Sequence, residues 1–245
     1  VTAVIAMVAL GTGAQLQIEE QVQSAGTNLI SVRAGNFRRG GVSMGVGGAP
    51  TLKASDVDAI RAQVPGAVYL AASVNTRDQV IAGGNNWSAQ IEGTDIEYPM
   101  IRFWDLEYGT FFTQAHVRSA AKVAVLGTIV RDNLFGEGVD PVGQRVRIRN
   151  QSFEVIGIMQ SKGSGQFGQD QDDIILAPYT TVQKKLRGRD GTNISGISIS
   201  AVSPNQLDEV SAQITAVLRE QHGLIPGDDD DFMVRTQEDI SSMLT

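Results

Sequence analysis

The sequence predicts an α+β fold in which one α/β lobe is assembled from both ends of the chain and interrupted by a mostly β lobe. Three observations carry this. A strand–helix–strand pattern runs over about residues 28–75, and a second over about residues 194–236. Between them, Lys122–Met159 reads as a strand, a short helix, a tight turn and a hairpin, with a turn residue at each junction. Helical segments, Gln15–Ser24 and Thr236–Thr245, flank the two patterns. The boundaries drawn from this are 1–26 for the end of a first helix, 27–95 and 192–235 for the α/β lobe, 96–191 for the inserted β-rich lobe, and 236–245 for the start of a second helix.

In chain order, Val1–Leu10 is apolar apart from Thr2, and is far short of the roughly 20 residues that span a bilayer. It has no starting Met and no basic region, so it does not read as an intact signal peptide. The expectation is a chain cut inside or just beyond a transmembrane helix, with a buried terminal helix or strand as the alternative. Leu16, Ile18 and Val22 give Gln15–Ser24 a weak amphipathic pattern, with Gly26 at its C′ position. Asn28–Val32 is a short strand, followed by a glycine-rich loop to Pro50. Ser55, with Asp58 three residues on, is expected to cap a helix carrying Val57, Ile60 and Val64, stopped by Pro65-Gly66. Val68–Val74, Gln79–Ala82 and Trp87–Ile91 read as three strands, with a turn at Gly83–Asn86.

The central stretch follows. Val123–Leu126 is a strand ending at Gly127, and Thr128 is placed to cap a helix that ends at Gly136. Asp140-Pro141-Val142-Gly143 has Asp at i, Pro at i+1 and Gly at i+3 of a β-turn. Val146 and Ile148 alternate with Arg145, Arg147 and Arg149, and Asn150-Gln151 turns the chain into Phe153–Met159. Beyond it, Thr181–Leu186 is a short helix and Ile194–Ala201 a strand. Ser203-Pro204 opens a helix with Leu207, Val210, Ile214 and Leu218 on one face. Phe232–Val234 is the last strand, and Thr236 with Asp239 starts a capped helix.

Composition narrows the function. Lys and Arg number 20 against 27 Asp and Glu, a net charge of −7, which opposes a nucleic-acid partner because phosphate binding needs a basic face. Cysteine is absent, which removes disulfides, thiolate metal sites and cysteine nucleophiles. No G-x-x-x-x-G-K-[ST] motif occurs, so the chain does not bind ATP through a P-loop. Gly41–Gly45 matches G-x-S-x-G around Ser43. That elbow needs a strand entering and a helix leaving, whereas glycines flank both sides here, so a Ser43 hydrolase is a remote reading. Gly163–Gly168 matches G-x-G-x-x-G, but Asp170, Asp172 and Asp173 follow where a helix N-terminus would be needed. Those carboxylates lack the glycine and bidentate glutamate of an EF-hand loop. His116 has no second His or Cys at metal spacing and reads as a surface or loop residue. The arginine row reads as a solvated face with Glu154 opposite, and Gly227–Asp231 as a solvated acidic loop. No catalytic residue, metal or cofactor is expected.

The remaining feature is aromatic. Glu97–His116 concentrates tyrosine, phenylalanine and tryptophan in a chain with 6% aromatics. Phe103, Trp104, Phe111 and Phe112 are the candidates for a contact surface, with a lobe core as the structural reading.

Five motifs in order resemble one family: Ala9–Gly13, Gly26–Val32, the block from Val123–Gly127 through Asn133–Gly136 to Asp140–Gly143, Phe153–Ile158, and Asp173–Pro178. Together they make the chain resemble the periplasmic core domain of MacB-type ABC transporter permeases. The resemblance implies a porter-like α/β subdomain with an inserted β-rich subdomain, carried between the first and second of four transmembrane helices. It implies a domain without catalysis, on the extracytoplasmic face of a bacterial inner membrane. Such a domain passes ATP-driven movement from a cytoplasmic ATPase domain through stalk helices to drive efflux. The implied partners are a second copy of the permease, a periplasmic adaptor and an outer-membrane channel. The alternatives are a lipoprotein-handling permease domain or a free-standing extracytoplasmic binding module.

Overall fold

Two halves of one long strand set the architecture. A computed structural model of the chain describes residues 28–35, 38–39, 42–43, 51–163, 170–187, 193–237 and 239. The strands are β1 (Leu29–Ala34), β2 (Arg38–Arg39), β3 (Val42–Ser43), β4 (Ala67–Ala82), β5 (Asn85–Thr94), β6 (Leu106–Gly109), β7 (Val123–Leu126), β8 (Arg145–Ile148), β9 (Gln151–Met159), β10 (Ile174–Pro178), β11 (Gly196–Ala201) and β12 (Phe232–Thr236). The helices are α1 (Ala54–Gln63), α2 (Tyr98–Arg102), α3 (Gln114–Ser119), α4 (Thr128–Phe135), α5 (Tyr179–Thr181) and α6 (Leu207–Gln221). α5 runs on as a π-helical segment, Val182–Arg187, and a 3₁₀ turn, Pro204–Gln206, leads into α6.

The first half of β4 belongs to a four-stranded antiparallel sheet in the order β12-β1-β11-β4. β1 and β4 both run antiparallel to β11, which lies between them, so they are parallel to each other. β11 and β12 are likewise parallel, with β1 between them. The units β1–α1–β4 and β11–α6–β12 are therefore interleaved split βαβ units. Residues on opposite strands in register share a face. Ile30, Ile199 and Leu70 form one row and Val32, Ile197 and Ala72 the next, all buried under α1 and α6. The opposite face carries Ser31, Arg33, Ser198 and Ser73.

The second half of β4 changes partner. Val74–Ala82 pairs with β5, β5 with β10, β10 with β7, β7 with β9, β9 with β8, and β8 returns to β4 through Val80–Ile148. These pairings close a six-stranded ring, with β6 added on β9. The sequence boundary for the inserted lobe was residue 96, whereas strand pairing carries Val74–Thr94 into the ring as well. The β7 and β10 runs VAVL and IILAP are buried at every position. Ala124, Leu126, Ile175 and Ala177 face the core shared with the α/β lobe, while Val123, Val125, Ile174 and Leu176 face a second core. Continuous apolar runs are what a strand buried on both faces requires.

Several local readings shift. Lys53, not Ser55, stands at the N-cap of α1, and the Asp56 carboxylate accepts from its amide at 2.7 Å. Two strands expected at 68–74 and 79–82 are one, turned by Gly83-Gly84 alone. In the 140–144 turn the Gln144 amide donates to the Pro141 carbonyl, so Gly143, at φ +85°, is at i+2. Asp140 instead accepts from the Val142 amide. The β8–β9 turn is Arg149-Asn150, and the Arg149 side chain binds Asp78 and the Leu186 carbonyl, leaving Arg145 and Arg147 as the exposed row. Gly127, not Thr128, precedes the first turn of α4, and a Cβ there would lie 2.1 Å from the Asp172 carbonyl. Only glycine lets the chain pass so close. The expected helix at Gln15–Ser24 lies outside the described residues, as does most of 236–245. Thr236 and Asp239 do cap each other reciprocally. Among the described residues no helix is long and apolar enough to cross a membrane.

Candidate functional site

The aromatic segment divides between core and surface. Trp104 is 3% exposed, and its Nε1–H donates to the Gln160 carbonyl at 2.6 Å while the Lys162 ammonium lies 5.4 Å from its ring centroid. Phe112, also 3% exposed, stacks on the partly buried Phe111 with centroids 4.1 Å apart. With Tyr98, Ile101 and Val117, these rings fill the second core. That core contains Leu29 and Ala71 from the four-stranded sheet and Val125, Leu176 and Met159 from the ring. It is the apolar joint between the two lobes.

Phe103 faces the other way and is 56% exposed. It sits at φ 46°, ψ 53°, the left-handed region, directly after α2. Its amide donates to the Met100 carbonyl at 3.4 Å, and the Trp104 amide to the Pro99 carbonyl at 3.0 Å. These two bonds are those of a Schellman C-cap, a position usually filled by glycine. A side chain in this conformation costs about 1–2 kcal/mol.

Beside the joint lies a buried polar cluster. Tyr98 donates to Glu92 Oε2 at 3.2 Å, and Ser73 Oγ stands 3.2 Å from Oε1. Desolvation pushes the Glu92 carboxyl above its usual range, opposed by Arg102, the two hydroxyls and Arg33. Burial pushes the Tyr98 phenol up as well, helped by the Glu92 charge. Lys162, desolvated and facing Arg102, is lowered to about 8 despite Asp172 and Asp105. The cluster spans β4 at the point where its partner changes, so it holds the joint polar as well as apolar.

A second cluster ties down the helical layer. His222, after α6, has Nδ1 2.6 Å from Asp231 and Nε2 3.2 Å from Asp56. The Asp56 hydrogen bond raises its pKa to about 9, with Asp231 adding and burial opposing. Arg219 binds Asp230 and the Ile225 carbonyl, and Asp228 accepts from the Ile225 amide. The segment expected as a solvated acidic loop is an exposed loop over residues 227–230, and its Asp230 and Asp231 also form an ion-paired clamp with Arg219 and His222. His222 has no signal in the sequence, because its partner Asp56 is 166 positions away.

The remaining candidates have structural partners. His116 lies on α3 rather than a loop, and its Nδ1 accepts from the Thr113 amide. Asp172 accepts from Ser161 and from the Lys162 and Gly163 amides, while Asp173 binds the Trp87 indole. Among the described residues no group of three His, Cys, Asp or Glu is placed to hold a metal ion. Ser43 is in a two-residue strand paired with Arg38-Arg39, and its side chain lies outside what is described. Most of Gly163–Gly168 also lies outside.

Comparison with known proteins agrees with this architecture. Residues 1–217 match the family model described as the MacB-like periplasmic core domain. The chain is 38% identical, over its whole length, to a macrolide export ATP-binding/permease protein MacB of Chlorobium luteolum, of which the match covers 36%. It is 33% identical to the protein of that name from Syntrophobacter fumaroxidans, of which it covers 41%. The chain thus spans about two fifths of the length of these relatives. Its fold is similar to the periplasmic region of MacB from Actinobacillus actinomycetemcomitans, with a TM-score of 0.71 at 22% identity, covering 93% of this chain and 97% of that one. The extracellular domain of the noncanonic ABC-type transporter YknZ from Gram-positive bacteria aligns with a TM-score of 0.66 at 17% identity, over 85% of this chain and all of that one. On the family match and the full-length relatives, this chain belongs to the MacB-like periplasmic core domain family.

Proposed function

We propose that this chain is the extracytoplasmic part of an ABC transporter permease, and that it transmits movement driven by ATP hydrolysis elsewhere in the protein to the export of a substrate. The observation that carries this reading is where the α/β lobe is entered and left. β1 begins at Leu29 and β12 ends at Thr236, and Ile30 pairs with Thr236. The chain therefore comes in and goes out at one end of two adjacent hydrogen-bonded strands. Displacement applied to the chain before Asn28 and after Asp239 reaches one sheet, and β4 carries it without a break into the ring.

The chemistry of the domain supports transmission rather than catalysis. His222 uses both ring nitrogens on carboxylates, which leaves neither to activate a hydroxyl. No cofactor is needed for this role. The ATPase of the relatives named above, and the second permease copy, adaptor and outer-membrane channel implied by the resemblance, complete the proposed assembly.

The test is made in the full-length transporter. Flexible Gly-Ser segments of about ten residues, inserted before Asn28 and after Asp239, decouple the flanking segments from the sheet. Transmission predicts that export falls to background while ATP hydrolysis continues. Export at the unmodified rate with both insertions in place would sink the reading and favour a free-standing binding module.

A further inference from the structure

We propose that Phe103, with Met100 beside it, is a docking anchor for a partner protein whose contact surface is an apolar pocket rimmed by lysine or arginine. Folding supplies no reason for this residue. Its Schellman position favours glycine, and at 56% exposed the ring gains little burial. Ala120 makes the contrast. It also ends a helix in the left-handed region, at φ 49°, with the same pair of hydrogen bonds to Val117 and His116. Ala120 is 8% exposed, so its methyl is packed, and it carries no ring. Met100, 49% exposed and three residues before Phe103, adds a second unburied apolar side chain on the same short helix.

The position is also rigid. Trp104, the next residue, is held in the joint by Gln160 and by Lys162. A ring projected from a fixed backbone loses little entropy on docking, which is the property of an interface anchor.

Charge selects the occupant. Asp105 and Glu107 follow Phe103 and are exposed, Glu107 remaining so although paired with Arg131. The cations nearby are drawn inward: the Lys162 ammonium donates to the Arg102 carbonyl at 2.5 Å, and Arg102 Nε is buried. An apolar knob followed two residues on by an exposed, acidic Asp105, with Glu107 beyond it, fits a pocket with a basic rim. A second copy of this chain would bring Asp105 towards its own counterpart in a two-fold contact. Anionic lipid headgroups would be repelled in the same way.

The proposal rests on the transporter reading only in placing the partner on the extracytoplasmic side. The readout is a crosslink and not export, so failure of the transmission reading leaves it standing. In the full-length transporter in cells, Phe103 is replaced by the photocrosslinker p-benzoylphenylalanine and adducts are identified by mass spectrometry. The expected result is an adduct with a different protein, through a segment with apolar residues beside Lys or Arg. Asp105→Lys combined with Glu107→Gln should reduce that adduct roughly five- to ten-fold. Phe103→Gly in this chain should leave the melting temperature unchanged or raise it by up to about 3 °C. An adduct with a second copy, with lipid alone, or no stronger than that from the same crosslinker at Val139 would overturn the proposal. So would insensitivity to the charge change, or a drop of several degrees for Phe103→Gly.

Discussion

His222 shows how one side chain ties the end of α6 and the segment before β12 to a residue 166 positions away. Its ring is held between Asp56 near the start of α1 and Asp231 just before β12, and packs edge-on against Phe232 with centroids 5.6 Å apart. The folded-state pKa is raised to about 9 from an ordinary 6.5. A raised pKa means that folding favours the protonated ring, so the stabilisation is fully present below about pH 6.5. It is lost as the pH climbs through about 9. Allowing for screening by nearby water, the effect is on the order of 1–2 kcal/mol, or roughly 3–6 °C in melting temperature. Melting temperatures measured from pH 6 to pH 8, below the range in which the lowered Lys162 adds an opposite slope, should fall in the parent chain, and His222→Gln should remove most of the slope. Equal slopes in the two proteins would show that the clamp does not depend on the charge of His222.

At the scale of the element, β4 has to protect an edge before it enters the ring. The Leu70 amide donates to Glu97 Oε2 at 2.7 Å, Arg61 binds Glu97 Oε1 at 2.8 Å, and Arg61 also donates to the Leu70 carbonyl. One ion pair thus occupies both backbone groups of Leu70, a device that blocks strand addition. Glu97→Ala leaves that donor unpaired and should cost about 1–3 kcal/mol in urea denaturation, with more light scattering at high concentration. Glu97→Gln, which keeps an acceptor, should lose less than half as much. Equal losses would place the effect in packing. None of this edge chemistry can be read from sequence, since Arg61 and Glu97 are 36 positions apart. What was legible were the elements with local signals: α6 from its apolar spacing, α4 from its flanking glycines, and β8 from strict alternation. β4 reads in the sequence as two strands because Asn75–Asp78 looks like a break, yet those residues are polar where the strand changes partners. α2 and α3, with 5 and 6 residues, are too short for a helical period to show. In the aromatic segment the presence of a cluster was legible, but the division of Trp104 inward and Phe103 outward depends on one left-handed residue.

Across the whole molecule, the two lobes share too much to come apart independently. β4 is hydrogen-bonded into both, one core takes residues from α1 and α6 as well as from the inside of the ring, and a second lies between the sheet and the outer face of β7 and β10. Separating the lobes would expose Trp104, Ile101 and Phe112 together, at about 1.5–3 kcal/mol for each large apolar side chain. It would also leave the Glu92–Tyr98–Ser73 cluster open to water. Rigid coupling of this kind is what a transmitting domain requires, since a joint that melted locally would absorb the displacement applied to β1 and β12. The chain has two tryptophans, one in the ring at Trp87 and one in the joint at Trp104. Trp104→Phe leaves Trp87 as a reporter of the ring alone, while far-ultraviolet circular dichroism follows both lobes. In urea the two signals should give one coincident transition, with the same midpoint and the same slope. A ring that kept its fluorescence after half the circular dichroism was lost would mean that the lobes unfold separately, and that the joint is a hinge and not a coupling.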